Sequence, residues 1–228
     1  MKDIKNWING AHGHKFVASF SGGKDSVLAL YKASKIGEAI GLIVMLEEEG
    51  KRSRSHGMPP ELIRAQSESI GLPVFMAAAS WNDYEKEFIQ LLESAKRKGA
   101  EVLVTGDLEI PAQDSWNEKV ADLAGLKLGM PLWKRNHRDT VEEFVREGFV
   151  SIVVTVNLSL GMREEDLGRI LTLDYIQELE DRGIDSCGEG GEFHTTVIDG
   201  PLFTYPIPIQ KGAIIKNGEY AFLPLELK

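Results

Sequence analysis

The sequence is poor in cysteine, in long apolar runs and in positive charge, and each shortage excludes a class of protein. Its 228 residues include one cysteine, Cys187, which rules out a disulfide framework, a Cys-x-x-Cys motif and a cysteine-based zinc site. No run of about 18 apolar residues occurs, and the polar residues 1–15 lack the apolar core of a signal peptide. We therefore expect a cytoplasmic protein without a membrane partner.

The charge balance also restricts the partners. Asp and Glu total 35 against 26 Lys and Arg, which gives a formal net charge of −9 at pH 7. Because affinity for nucleic acid comes largely from neutralising phosphates, we expect no stable binding to nucleic acid. A bound nucleotide then needs local positive charge, for which Lys24 and the basic run at residues 51–54 are the candidates.

Residues 21–26, Ser-Gly-Gly-Lys-Asp-Ser, have the composition of a phosphate-binding loop. They follow an apolar run and precede a helical pattern. The sequence therefore predicts a strand, then a glycine-rich turn, then the N-terminus of a helix. Glycine lets an anion approach the backbone, and the first amides of a helix attract negative charge. We interpret the loop as an ATP site; the alternative is an ordinary Ser/Gly turn that caps a helix.

The loop residues suit different parts of a nucleotide. Lys24 supplies a full positive charge, which also stabilises a phosphate leaving group during catalysis. Asp25 is the predicted ligand of a Mg²⁺ ion that arrives with ATP. The spacing fits neither a Walker A loop nor Gly-x-Gly-x-x-Gly. The predicted nucleotide ligands in the loop are Ser21, Gly22, Gly23, Lys24, Asp25 and Ser26.

Strand and helix patterns alternate over the first half of the chain. Apolar runs predict strands at residues 15–20, 39–46, 73–78 and 102–105, and amphipathic patterns predict helices at residues 24–35, 61–71, 83–98 and 116–126. This alternation predicts an α/β fold with a doubly wound parallel sheet. Ligands of such sheets bind beyond the carboxyl ends of the strands. We therefore add His56, Gly106 and Asp107, which follow two of these strands, to the nucleotide site.

The pattern changes after residue 130. Helices are predicted at residues 140–147, 167–173 and 173–182, with strands at 151–157, 196–198, 213–216 and 220–223. We therefore predict an ATP-binding domain at residues 1–130. A smaller α+β domain at residues 131–228 is expected to form the acceptor side of the site.

A second motif, Gly-Glu-Gly-Gly-Glu-Phe-His-Thr, occupies residues 188–195. Glycine-rich loops with this content often line sites because the backbone can approach a ligand closely. Glu192 and His194 suit acid–base catalysis, while Glu189 and Glu192 suit a metal ion or a cationic substrate group. The alternative is a tight acidic turn exposed to solvent. The catalytic candidates are thus Lys24, Glu189, Glu192 and His194.

Together with residues 106–107, 167–169 and 199–203, these motifs resemble the diphthine–ammonia ligase family of PP-loop ATP pyrophosphatases. The resemblance spans about residues 15–206 and implies the adenine nucleotide alpha-hydrolase (HUP) fold. It also implies that ATP adenylates a carboxylate with release of pyrophosphate, and that ammonia then displaces AMP. The implied acceptor is diphthine, the modified histidine of elongation factor 2. A different carboxylate or a carbonyl group is the alternative, because residues 51–59 and 106–109 differ from the family pattern.

Two other functions stay open at this point. One is a nucleotide-binding sensor without turnover, although such modules usually carry their glycine motif late in the chain. The other is a PP-loop enzyme that acts on tRNA, against which the acidic charge and the single cysteine count. The expected ligands are ATP, Mg²⁺, ammonia and a carboxylate acceptor, and the expected assemblies include a homodimer.

Overall fold

A computed structural model describes residues 11–109 and 116–228. The described chain divides into two compact units that interleave in sequence. The unit that we call the parallel-sheet unit comprises residues 11–21, 25–55, 72–109 and 116–134. The second, the antiparallel-sheet unit, comprises residues 22–24, 56–71 and 135–228.

The described elements alternate early in the chain and are mainly strands at its end. In chain order they are β1 (Lys15–Ser19), α1 (Lys24–Ser34), β2 (Glu38–Leu46), α2 (Pro60–Ile70), β3 (Val74–Ala78), α3 (Tyr84–Arg97), β4 (Val102–Val104), α4 (Trp116–Ala124), β5 (Lys127–Gly129), α5 (His137–Arg146), β6 (Val150–Asn157), α6 (Leu173–Asp181), β7 (Phe193–Asp199), β8 (Ile209–Lys211), β9 (Ile215–Asn217), β10 (Tyr220–Phe222) and β11 (Leu225–Leu227). None of the helices in these ranges combines the length and the apolar character needed to cross a membrane.

The five strands of the first unit form one parallel sheet in the order β3-β2-β1-β4-β5. The chain moves outward from β1 to β3 and then returns to the other side of β1, so the winding reverses between β1 and β4. Right-handed crossovers in such an order bring successive helices to opposite faces. The predicted α/β fold with a doubly wound parallel sheet is confirmed.

The two faces of this sheet bury alternate residues of the same strands. Val17, Ile43 and Leu103 pack in one core cluster with apolar residues of α3 and α4. Their neighbours Phe16 and Leu42 point to the opposite face and are also fully buried. Burial on both faces explains why these strands are continuous apolar runs rather than alternating ones.

Strand β5 is not among the strands predicted from the sequence. Its three residues pair in parallel with β4, with Leu103 opposite Leu128. A strand of three residues is too short to show a period, and the helical pattern of α4 extends up to it. The fifth strand is therefore recognised only by its pairing with β4 in the structure.

The antiparallel-sheet unit carries the smaller α+β part that the sequence predicted. Four of its strands form an antiparallel sheet in the order β7-β6-β10-β9, and β11 pairs with β8 in a separate ribbon. The helices α2, α5 and α6 belong to the same unit.

The helix predicted at residues 167–173 is wrong. Gly168 has a φ of +81°, which ends any helical turn there. The Gly168 amide donates to the Val153 carbonyl at 2.8 Å, and the Val153 amide donates to the Arg169 carbonyl at 2.9 Å. The segment therefore runs beside β6, and α6 begins only at Leu173, capped by the Thr172 hydroxyl.

Candidate functional site

The hexapeptide joins the end of β1 to the beginning of α1. Gly22 has a φ of +77°, a left-handed conformation that residues with a Cβ rarely adopt. Lys24 is the first residue of α1 and is only 6% exposed. The loop therefore places a nearly buried cation at the positive end of a helix dipole.

Residues 22–24 are held against the last long strand of the chain. The Gly22 carbonyl accepts from the Val197 amide at 2.9 Å and from Gln66 Nε2 at 3.1 Å. The Lys24 amide donates to Thr195 Oγ1 at 3.2 Å. The conformation of this part of the loop is therefore fixed by β7 and by Gln66 of α2.

Both glycines are required by close packing. A Cβ on Gly22 would collide with the side-chain oxygen of Gln66. A Cβ on Gly23 would collide with the His56 ring and lie 3.0 Å from the Thr195 carbonyl oxygen. The two glycines thus allow β7, α2 and the loop to approach one another.

His56 lies at the centre of this group. Its Nδ1 is 3.1 Å from the Thr195 carbonyl oxygen, and because a carbonyl only accepts, Nδ1 carries the proton. The ring stacks on His194 with the centroids 4.7 Å apart and the planes at 22°. Burial, together with the nearby His194 and Lys24, lowers the pKa of His56 to about 3. His56 is therefore neutral at pH 7.

Lys24 also lies over an aromatic ring of β7. Its ammonium is 5.7 Å from the centroid of Phe193, which is buried. An aromatic face attracts a cation at this distance. Through Phe193, His194 and Thr195, β7 thus brings the second sequence motif to Gly22, Gly23 and Lys24.

The two glutamates of the motif have different surroundings. Oε2 of Glu192 is buried and has no hydrogen-bond partner among the described residues. Glu189 is exposed, and its amide donates to Asp185 Oδ2 at 3.2 Å. Asp185 also accepts from the Cys187 amide at 2.9 Å and from His137 Nδ1 at 2.8 Å. Asp185 therefore shapes the turn that precedes the motif.

The remaining loop residues lie in the parallel-sheet unit. Ser21 Oγ donates to Ser26 Oγ at 3.1 Å, and the Ser21 amide donates to the same oxygen at 3.3 Å. A Cβ on Gly106 would lie 2.8 Å from the Asp25 carbonyl carbon and 2.9 Å from the Ser26 amide nitrogen. The end of β4 thus abuts the first turn of α1. Asp107 accepts from Asn117 Nδ2 at 2.8 Å.

The basic run at residues 51–54 has its own partners in this unit. Lys51 Nζ lies 2.7 Å from Glu49 Oε2. The Arg54 guanidinium lies 4.3 Å from the centroid of the Trp81 ring and donates to the Ala79 carbonyl. Trp81 itself is 75% exposed.

Neither Gln66 nor a role for Thr195 is among the predictions made from the sequence. Gln66 is fully buried, and its Nε2 also donates to the Val197 carbonyl at 2.7 Å. One signal was present: a polar side chain at the helical spacing of Leu62, Ile63 and Ile70 on the inner face of α2. A polar residue on an apolar face indicates a buried hydrogen-bonding role.

Family models match both parts of the chain. The model described as diphthamide synthase N-terminal domain matches residues 14–128, and the one described as diphthamide synthase C-terminal domain matches residues 136–226.

Curated relatives carry the name diphthine–ammonia ligase. The Mus musculus protein is 25% identical over 92% of this chain and 88% of its own length. The Schizosaccharomyces pombe protein is 28% identical over 93% of this chain, which spans only 39% of that relative. The Saccharomyces cerevisiae protein is also 28% identical, over 84% of this chain and 34% of its own length.

A solved structure resembles the chain more distantly. It is a predicted subunit of tRNA methyltransferase from Methanocaldococcus jannaschii, with a TM-score of 0.45 and 15% identity. The alignment covers 82% of this chain and 98% of that one.

Proposed function

Since this chain belongs to the diphthamide synthase family, we propose that it is an ATP-dependent ligase that amidates a carboxylate with ammonia. ATP transfers its AMP moiety to the carboxylate and releases pyrophosphate, and ammonia then displaces AMP. The proposed acceptor is diphthine, after the name shared by the curated relatives. The observation that supports this best is the glycine–lysine segment held beside Thr195 and His56.

Lys24 has the central role on the nucleotide side. Negative charge grows on the pyrophosphate as it leaves, and Lys24 is a cation with little exposure at a helix N-terminus. Such a preorganised charge stabilises a transition state more strongly than a solvated one. Gly22 has the left-handed φ that the turn of the loop requires, and the first amides of α1 carry partial positive charge that attracts phosphate oxygens.

Asp25 fits a Mg²⁺ ion bound with ATP. It is partly exposed in the first turn of α1, where its carboxylate supplies the hard oxygen ligand that Mg²⁺ prefers. When bound, the ion supplies additional positive charge for the phosphates. Ser21, Ser26, His56, Gly106 and Asp107 complete the proposed nucleotide residues.

The second motif has the proposed role on the acceptor side. Ammonium must lose a proton before its nitrogen can attack the acyl-adenylate, and Glu192 or His194 is the group that we propose takes it. His56, being neutral and protonated at Nδ1, offers Nε2 as a hydrogen-bond acceptor. Glu189 is proposed to bind the acceptor at the exposed rim of the motif.

We also propose that different parts of the chain bind ATP and the acceptor. Residues 1–130 carry most of the ATP-binding groups, and residues 131–228 carry the groups for the acceptor. A cytoplasmic location and a homodimer remain predictions.

The first test removes the Lys24 charge. Lys24→Ala should reduce acceptor-dependent pyrophosphate release by about 100-fold or more, because single preorganised charge-stabilising groups contribute on that scale. The assay contains Mg²⁺, ATP, ammonia and a diphthine-bearing acceptor, and it measures AMP and pyrophosphate.

The control is Lys86→Ala, which removes an exposed lysine of α3 and should leave the rate unchanged. ADP and phosphate as products, or equal rates for the Lys24 variant and the wild type, would contradict the proposal.

A further inference from the structure

We propose that Thr195 is a phosphate-binding residue that β7 adds to the nucleotide loop. The inference rests on the proposed function, since it deepens the ATP side of that site. Thr195 is 2% exposed, and its Oγ1 accepts from the Lys24 amide at 3.2 Å. It therefore lies directly beside the residues expected to hold the phosphates.

The hydroxyl proton of Thr195 is available for a ligand. A threonine hydroxyl has one proton to donate and two lone pairs to accept with. The Lys24 amide uses one lone pair, so the proton must point away from that amide. Among the described residues no hydrogen bond uses this proton. A buried donor without an acceptor is costly, and a phosphate oxygen would supply the acceptor.

The side chain is also fixed in place. The Thr195 carbonyl accepts from His56 Nδ1 at 3.1 Å, while its hydroxyl is held by the Lys24 amide. Two residues further along the strand, the Val197 side chain is fully buried and its amide donates to the Gly22 carbonyl at 2.9 Å. Thr195 thus needs little reorganisation to bind a ligand, which is the condition for a strong contact.

The surroundings favour an anion. Lys24 contributes a full positive charge with 6% exposure, and the first amides of α1 contribute partial positive charge. His56 is neutral at pH 7 and adds no charge of either sign. A hydroxyl that donates into this environment recognises a phosphate oxygen rather than the adenosine of ATP.

The test replaces Thr195 by valine, which keeps the shape and removes the hydroxyl. Calorimetry with Mg²⁺ measures the binding of inorganic pyrophosphate and of AMP to the full chain. We expect Thr195→Val to weaken pyrophosphate binding about tenfold, as the loss of a charged hydrogen bond does, and AMP binding by less than about twofold. Thr195→Ser should restore pyrophosphate binding to within about threefold of the wild type.

Thr196→Val is the matched control. Thr196 is the next residue of β7, is also fully buried and donates its hydroxyl to Met58 Sδ, so the same substitution should leave pyrophosphate binding unchanged. If Thr195→Val weakens AMP and pyrophosphate equally, or if serine fails to restore binding, Thr195 only shapes the loop and the proposal is overturned. A wild type that binds pyrophosphate through Thr195 but amidates no acceptor would contradict the ligase and still support this role.

Discussion

The two units differ in what fills their interiors. The parallel-sheet unit buries apolar side chains on both faces, such as Phe16, Val17 and Leu103, all fully buried. The antiparallel-sheet unit also buries charge: Asp166 is 2% exposed and receives two hydrogen bonds from Arg182, at 2.9 and 2.8 Å. The stability of the second unit should therefore depend more strongly on the ionisation of a buried group than that of the first.

The buried charge belongs to a larger polar cluster. Arg169 makes two hydrogen bonds of 2.7 Å to Glu178, and its guanidinium lies 3.7 Å from the centroid of the Tyr175 ring. Burial alone would raise the pKa of Asp166, but hydrogen bonds from Arg182 and the Arg163 amide outweigh it and lower the pKa. The charged form of Asp166 is thus the one that the fold stabilises.

The largest expected effect comes from breaking this pair. Asp166→Ala should lower the free energy of unfolding by about 3–5 kcal/mol, because it removes the buried carboxylate that lies closest to the Arg182 charge. Denaturant titration at pH 7 measures the change. Leu103→Ala should cost about 2–5 kcal/mol in the parallel-sheet unit, through lost burial and the cavity that remains.

The free-energy costs of Asp166→Ala and Leu103→Ala should depend differently on pH. Because the folded pKa of Asp166 lies below its ordinary value of 3.8, its contribution is present above that value and is lost as the pH falls further. The cost of Asp166→Ala should therefore shrink at low pH, while that of Leu103→Ala should stay constant. Equal costs for Asp166→Ala and for Asp174→Ala, an exposed carboxylate of α6, would contradict the comparison.

The same contrast explains how much of the fold the sequence predicts. Strands β1 to β4 are visible because burial on both faces makes them continuous apolar runs between helical patterns. The apolar residues at 167–173 fit a helical spacing and so predict a helix, whereas hydrogen bonding to β6 decides the conformation of this segment. Pairing between distant segments leaves little trace in a local pattern.

In the candidate site, too, local motifs are predicted from the sequence and contacts between distant segments are not. The hexapeptide and the second motif are local, and their composition indicates an ATP site before any contact is known. Gln66 and the role of Thr195 depend on contacts across 44 and 171 residues of sequence. The spacing of residues in the sequence does not identify such hydrogen-bond partners. A glutamine on the apolar face of a helix indicates only that Gln66 has a buried hydrogen-bonding role.

A middle-sized effect is expected at Gln66, which tests whether residues 22–24 are stabilised as part of the antiparallel-sheet unit. Gln66→Leu removes the donor to the Gly22 and Val197 carbonyls, at 3.1 and 2.7 Å. We expect a loss of about 1–3 kcal/mol, the cost of unsatisfied buried polar groups. Hydrogen exchange of the Val197 amide should accelerate, since that amide binds Gly22.

Gln90→Leu, at an exposed position of α3, is the control and should change neither stability nor this exchange rate. If Val197 exchanges at the wild-type rate in the Gln66 variant, the glutamine does not hold the segment.

The smallest effect concerns His56, and it sharpens the contrast in pH sensitivity. Because the folded pKa of His56 is about 3 and its ordinary value is 6.5, the unfolded chain binds more protons between these values. The contribution of neutral His56 is therefore complete above pH 6.5 and is lost as the pH falls toward 3. Since His56 is partly exposed, we expect a loss of about 1 kcal/mol between pH 7 and 5.

Two measurements test the protonation of His56. The Cε1 resonance of His56 should not titrate between pH 8 and 5, whereas a histidine with an ordinary pKa titrates near pH 6.5. In His56→Gln the free energy of unfolding should change less between pH 7 and 5 than in the wild type, because glutamine takes up no proton. A midpoint near 6.5 for His56 would mean that the stack on His194 and the neighbouring Lys24 charge leave the ring as accessible to protons as in water. The neutral acceptor at Nε2 would then be lost at mildly acidic pH, and a protonated His56 would add a second positive charge near Lys24.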